Sequence, residues 1–215
     1  MRSSLRPPGN TAFLNIPYDS KFESLYLAFI AGLCAFGLIP RATLEIPGSE
    51  RRLDRIFELI NDCSYSFHCS YSFHDLSRVE LDRHPPHPVP RFNMPFELGL
   101  VVAWARGRQP EHQWFVFEVV PHRLKKSLSD LDGTDPYIHR GKPDGVLREI
   151  RNALTRSRHR PTLVELRYIY DDLMKAAVVA KEEGADLFEA RSFGDLIIAA
   201  QASARTRIAS LRAES

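Results

Sequence analysis

The chain has 215 residues, of which 44% are hydrophobic and 26% charged, a globular composition that excludes wholesale disorder and a collagen-like or membrane-embedded class. Its 29 Lys and Arg against 27 Asp and Glu leave a formal charge of +2, which argues against an electrostatic wrapper of nucleic acid while leaving room for a local basic patch. At this length one sizeable core forms, with at most a small helical appendage beside it.

Residues 1–10 are polar and read as a flexible N-terminus; they carry Arg2, Arg6, Pro7 and Pro8, and no apolar run of the signal-peptide kind follows them. Thr11–Ile16 is a short apolar run ending at Pro17 and predicts a first buried strand. Ser20-Lys-Phe-Glu23 has the Ser-x-x-Glu form of a capping box. Phe22, Leu25, Phe29, Leu33 and Phe36 follow at helical spacing, with Gly37 as the stop. The most apolar stretch, Leu25–Ile39, is interrupted by Gly32 and is shorter than the roughly 20 apolar residues of a membrane span; it reads as a buried core helix. Leu38–Ile46 fits a second strand, and Leu53, Ile56, Phe57 and Ile60 mark an amphipathic helix. The three cysteines, Cys34, Cys63 and Cys69, are expected to be reduced thiols in a cytoplasmic protein.

The hexapeptide Cys63-Ser-Tyr-Ser-Phe-His68 recurs without change as Cys69-Ser-Tyr-Ser-Phe-His74. Each copy alternates apolar and polar positions, and an even repeat keeps the two copies in phase. Together they exceed the usual strand of about 5–6 residues, so one copy is expected in the sheet and the other beyond its edge or looped out. Asp75-Leu-Ser-Arg78 follows, then a rigid loop, His84-Pro-Pro-His-Pro-Val-Pro90. Asn93 or Met94 can cap a helix beginning near Pro95 and finishing near Gly107. Trp114–Val120 is the clearest strand, and Pro121–Asp144 is a polar stretch with a turn signal at Asp132–Pro136. Val146, Leu147, Ile150 and Leu154 predict another amphipathic helix. From Pro161 the pattern is helical only: Leu163 to Gly184, then a helix from Gly194-Asp195 onward.

Strands alternating with helices predict an α/β protein with a flavodoxin-like, doubly wound parallel sheet of four to five strands. The sheet domain spans residues 11–157 and a C-terminal helical pair residues 161–215. That pair either packs on the sheet domain or serves self-association, which makes a homo-oligomer the expected assembly; no membrane partner is expected.

In such a sheet ligands bind beyond the carboxyl ends of the strands, where strand order reverses. Three polar loops are candidates to converge there: Asn15-Ile-Pro-Tyr18-Asp19, Asp75-Leu-Ser77-Arg78 and Arg91-Phe-Asn93-Met-Pro-Phe-Glu97. Glu97 sits in or next to the first turn of its helix, where the dipole favours a negative charge. Its structural alternative is an ordinary helix N-terminal acid; for Arg78 it is a surface salt bridge and for Tyr18 a half-buried loop aromatic. His68, His74, His84 and His87 lack the spacing of a metal site, so none is expected. No glycine-rich phosphate loop is present, and Ser49 and Ser77 lack a Gly-x-Ser-x-Gly context. Arg205, Arg207 and Arg212 read as a solvated helix face.

With Asp75-Leu-Ser-Arg78, Asn93 and Phe96-Glu97-Leu-Gly99 in this order, residues 11–155 resemble the nucleoside 2-deoxyribosyltransferase-like and TIR-like group of nucleotide-processing domains. The resemblance implies cleavage or transfer at an N-glycosidic bond of NAD or a related nucleoside or nucleotide, bound as substrate or ligand with no separate cofactor. In bacteria it implies a defence effector. It gives Glu97 the role of nucleophile or oxocarbenium stabiliser and Asp75 a ribose hydroxyl or the leaving base. Asn15, Tyr18, Asp19, Ser77, Arg78 and Asn93 would surround the ligand, with Arg78 on a phosphate and Tyr18 stacked on the base. The rival readings are a module that senses a nucleotide without cleaving it, and a scaffold assembled through the C-terminal helices.

Overall fold

The computed structural model describes residues 11–45, 52–62, 71–78, 81–82, 89–108, 112–131 and 133–213. Five parallel strands form the main sheet: β1 (Thr11–Asn15), β2 (Ile39–Ala42), β3 (Tyr71–Asp75), β6 (Gln113–Glu118) and β7 (Tyr137–Ile138), ordered β2-β1-β3-β6-β7. A separate antiparallel pair, β4 (Leu81–Asp82) and β5 (Val89–Pro90), flanks the proline-rich segment. The main sheet has the doubly wound, flavodoxin-like order, and its direction of winding reverses between β1 and β3.

Helices cover both faces. Phe13 points to one side, where it packs with Ile56 and Leu59 of α2 (Arg52–Asp62) and Val101 of α3 (Asn93–Arg108). Its neighbours Ala12 and Leu14 point to the other, as strand alternation requires, and join α1 (Glu23–Ala35) and α5 (Pro143–Ala153). On that side α6 (Leu163–Glu182) and α7 (Ala190–Ala213) form a further layer over α1. Every residue of α1 from Leu25 to Ala35 is consequently buried. Tyr26 shows how: its hydroxyl donates to Leu187 O at 3.0 Å, and its ring meets those of Phe188 and Phe193. The C-terminal pair is thus a layer of the one core. Gly37, at φ +75°, closes α1 with paired bonds from its own N–H to Cys34 O and from Leu38 N–H to Leu33 O, which is the Schellman arrangement.

Several sequence expectations are corrected. The Ser20–Glu23 capping box does not form: α1 begins after Phe22 with no side-chain cap. Asp19 instead makes the turn, accepting Phe22 N–H at its carbonyl and Lys21 N–H at Oδ1. The second strand ends at Ala42 because Glu45 folds back to accept from Ala42 N–H and Arg41. β6 stops at Glu118, two residues short of the expected end, because the Glu118 carboxylate captures the Val119 N–H. The polar stretch after it holds a short helix, α4 (Arg123–Ser127), and the fifth strand. α2 buries Ile56 and Leu59, while Leu53 and Phe57 face outward. The third helix starts at Asn93, and α7 starts at Ala190, which places Gly194 inside it. The second hexapeptide copy supplies β3 from Tyr71; residues 63–70, with the first copy, lie outside the described residues, as do residues 83–88.

Because α1 has no water-facing side, the C-terminal layer is required for folding. A chain ending at Pro161 is expected to lose the cooperative unfolding transition of the full chain. Phe193→Ala, at a fully buried ring, is expected to cost about 3–5 kcal/mol in urea unfolding. Native-like stability of the shortened chain would contradict this.

Candidate ligand site at the strand switch point

The winding reverses between β1 and β3, the place at whose carboxyl ends doubly wound sheets form a ligand crevice, and hydrogen bonds bring the three candidate loops together there. Asn15, the last residue of β1, is 1% exposed. Its Nδ2 lies 3.0 Å from Met94 O, in the first turn of α3, and 3.0 Å from His74 Nδ1. A carbonyl can only accept, so the atom facing Met94 is the amide nitrogen, and the orientation of the amide follows. His74 Nδ1 is then an acceptor and its Nε2–H donates to Ser72 Oγ at 3.0 Å. Ser72 O–H donates in turn to His112 Nε2 at 2.9 Å. One carbonyl therefore sets the polarity of a buried relay of neutral groups running along β3. Among the described residues Asn15 Oδ1 has no hydrogen-bond partner.

Glu97 is 2% exposed and stands one turn beyond Met94 on α3, on the side that meets the sheet. It is the fifth residue of the helix, past the first turn, so the dipole acts on it more weakly than the sequence suggested. Asn93 is exposed at the helix start. Two large rings beside it, Phe92 and Phe96, are 66% and 56% exposed.

Asp19 anchors a charged cluster at the mouth. Arg78 donates to its Oδ1 at 3.0 Å and Arg91 to its Oδ2 at 3.2 Å. Both guanidiniums thus gather on one carboxylate, and their planar forks are of the kind that takes a phosphate. Tyr18 is half-buried; its hydroxyl donates to Leu14 O at 2.8 Å and its ring meets Tyr26 edge-on.

Asp75 is 0% exposed. Its Oδ1 accepts the Ser77 N–H at 2.8 Å, and its Oδ2 lies 3.0 Å from His139 Nε2. Ser77 Oγ is 2.9 Å from the same nitrogen. The Gly141 N–H points at His139 Nδ1 from 3.1 Å, which places the proton of the neutral ring on Nε2. Ser, His and Asp thus assemble, but serine and carboxylate share one ring nitrogen while the backbone holds the other. A serine-protease triad needs them on opposite nitrogens, so this cluster pins β3 to the β7 loop and does not activate Ser77. The loop itself is tightly built: Arg140 and Gly141 are both left-handed, at φ 57° and 68°, and Gly145 leaves no room for a side chain, since a Cβ there would run into His139 O.

The structure therefore brings Asn15, Asp19, Arg78, Asn93 and Glu97 to one edge and turns Tyr18 and Asp75 inward. Sequence reasoning missed Arg91's place on Asp19, the His74–Ser72–His112 relay and His139. The relay crosses 40 positions between Ser72 and His112, and no local pattern reports such a pairing. Among the described residues no group of three or more His, Cys, Asp or Glu side chains is arranged to hold a metal ion, and no helix is long and apolar enough to cross a membrane. No protein-family model, curated protein or solved structure matches the chain.

Burial, and for His74 also the neighbouring His112, pushes the His74 ring down to about 3; burial pushes His112 down to about 4. Between those values and the ordinary 6.5 the unfolded chain binds protons that the folded chain refuses, so stability falls as pH drops through that window. Urea unfolding at pH 4.5 is expected to show each ring costing about 2–3 kcal/mol relative to pH 7.5. His112→Gln is expected to remove about half of that loss; an unchanged pH dependence would refute the relay as drawn. Gly145→Ala is expected to destabilise by about 2–4 kcal/mol through the clash with His139, and a neutral effect would contradict the close approach.

Proposed function

We propose that the switch-point crevice binds a nucleotide, NAD or a relative, and that Glu97 acts at its N-glycosidic bond. The observation that carries this reading is that Asn15 Oδ1, a buried acceptor with no hydrogen-bond partner among the described residues, and the buried Glu97 carboxylate belong to two segments that the Asn15–Met94 bond ties together. A ribose offers the hydroxyl donors that such acceptors take. The two guanidiniums gathered on Asp19 support a phosphate at the mouth. Phe92 and Phe96 supply the exposed aromatic surface on which a base stacks, a place the inward-turned Tyr18 does not offer.

Breaking the bond between C1′ and the base nitrogen builds positive charge at C1′, and a fixed carboxylate stabilises that charge or attacks the carbon. Glu97, held in a low-dielectric pocket, is the group for this step. Asp75 is enclosed by Ser77 and His139 and serves here as a positioning residue for the Ser77–Arg78 loop. With Asp75 enclosed in this way and not available to protonate a departing neutral base, the reading favours a base that is already cationic. Nicotinamide in NAD leaves with the bonding electron pair as a neutral molecule, and water then adds at C1′ and releases its proton to solvent.

A second reading rests on the mutual pairing of Asp19, Arg78 and Arg91, which ties the three loops together: the crevice holds the nucleotide as a signal and leaves it intact. Purified protein incubated with NAD and with nucleosides is expected to release nicotinamide from NAD. Glu97→Gln is expected to lower that rate by at least 100-fold while changing NAD affinity less than about fivefold. Tight binding without product would establish the sensing reading; neither binding nor product would refute both.

A further inference from the structure

α1 ends and β2 begins at the opposite edge of the sheet from the switch point, and a cavity of about 620 Å³ lies there against α7, within the roughly 300–1,000 Å³ range of small-molecule sites. Its walls are apolar: Ile39 at the start of β2, Cys34 at the end of α1, and Ala204 and Ile208 from α7. Burial pushes the Cys34 thiol up to about 12, so the floor remains uncharged. The polar groups gather at the rim, where Gln201, His159 and Arg205 stand. Arg205 is exposed and makes no ion pair among the described residues. Its neighbour Arg207 is fully used, donating to Asp172 at 2.9 Å and lying over the Tyr168 ring. Of these two arginines, Arg205 is the cation left over, and it stands at the mouth of an apolar cavity.

We propose that this cavity is a second ligand site, separate from the nucleotide crevice, for a monoanionic amphiphile: an aliphatic chain inside and a carboxylate on Arg205 and His159. A wholly apolar ligand would leave the rim cation without a counter-charge. A nucleotide would set its polar base and sugar against the apolar wall formed by Ile39, Ala204 and Ile208. The chain-and-carboxylate class satisfies both parts of the site, and the inference does not depend on the activity assigned to Glu97.

Calorimetric titration of the full chain with hexanoate, octanoate and decanoate, each kept below its micelle concentration, tests it. Affinity is expected to rise about fourfold for each methylene added, the increment of apolar burial. Arg205→Gln is expected to weaken decanoate about fivefold and to abolish its preference over decanol. Gln201→Trp, at a half-buried rim position, and Ile39→Glu, at a partly exposed one, are each expected to abolish binding while the circular dichroism spectrum stays native. Glu97→Gln, at the other edge, is expected to leave decanoate affinity unchanged. The proposal is overturned by no decanoate binding, by binding that survives both blocking variants, or by equal binding of decanol. Sedimentation showing a dimer that Ile39→Glu dissociates would also overturn it, because a second copy would then occupy the site.

Discussion

The burial of α1 on every side is the constraint on which the rest of the structure depends. A helix apolar around its whole circumference has no stable place on a protein surface. Here Leu25–Ala35 lies between the sheet and the α6–α7 layer, with α5 close alongside at Gly32, where an added Cβ would lie 2.6 Å from Ile150 Cδ1. Once α1 is fixed, β1 and β2 are fixed as its neighbours, and the loop from Asn15 to Phe22 must cross the carboxyl edge of the sheet at the switch point. The place of Asn15 and Asp19 in the crevice is therefore a consequence of core packing at the other end of the same loop.

The edge of the sheet at the switch point is shaped by buried polar groups held against one another. Asn15 is clamped between Met94 and His74, and Asp75 between Ser77 and His139. Each clamp ties a strand end to a distant segment: β1 to the start of α3, and β3 to the loop after β7. Buried polar groups are costly unless paired, so these clamps fix backbone positions closely. In the reading proposed above, the buried amide oxygen of Asn15 and the guanidiniums gathered on Asp19 are the groups that meet the ligand.

Much of the architecture was legible in the sequence because apolar periodicity reports burial directly. The run from Trp114, the helix that carries Val146, Leu147 and Ile150, and the apolar stretch after Phe22 all formed near their expected bounds. The two shortened strands and the missed cap share a cause: a side chain competing for backbone groups. Glu45 and Glu118 each folded back and shortened a strand. The same Ser/Thr-x-x-Glu pattern failed at Ser20 and succeeded, unremarked, at Thr162 with Glu165. At Ser20 the Asp19 turn already orders the backbone, whereas Thr162 is extended and free to cap. β7 is two residues long, too short for alternation to register. In the site, the loops that converge were legible, but the enclosure of Asp75 was not, because His139 lies 64 positions away in the chain, as the two residue numbers give.

The most direct test of this arrangement is amide hydrogen exchange of the full chain with and without saturating NAD. The switch-point site predicts protection confined to residues 15–19, 76–78 and 91–97, with the α1–α7 cavity unchanged. Protection absent from those three segments, or appearing only around Ile39 and Ala204, would contradict it.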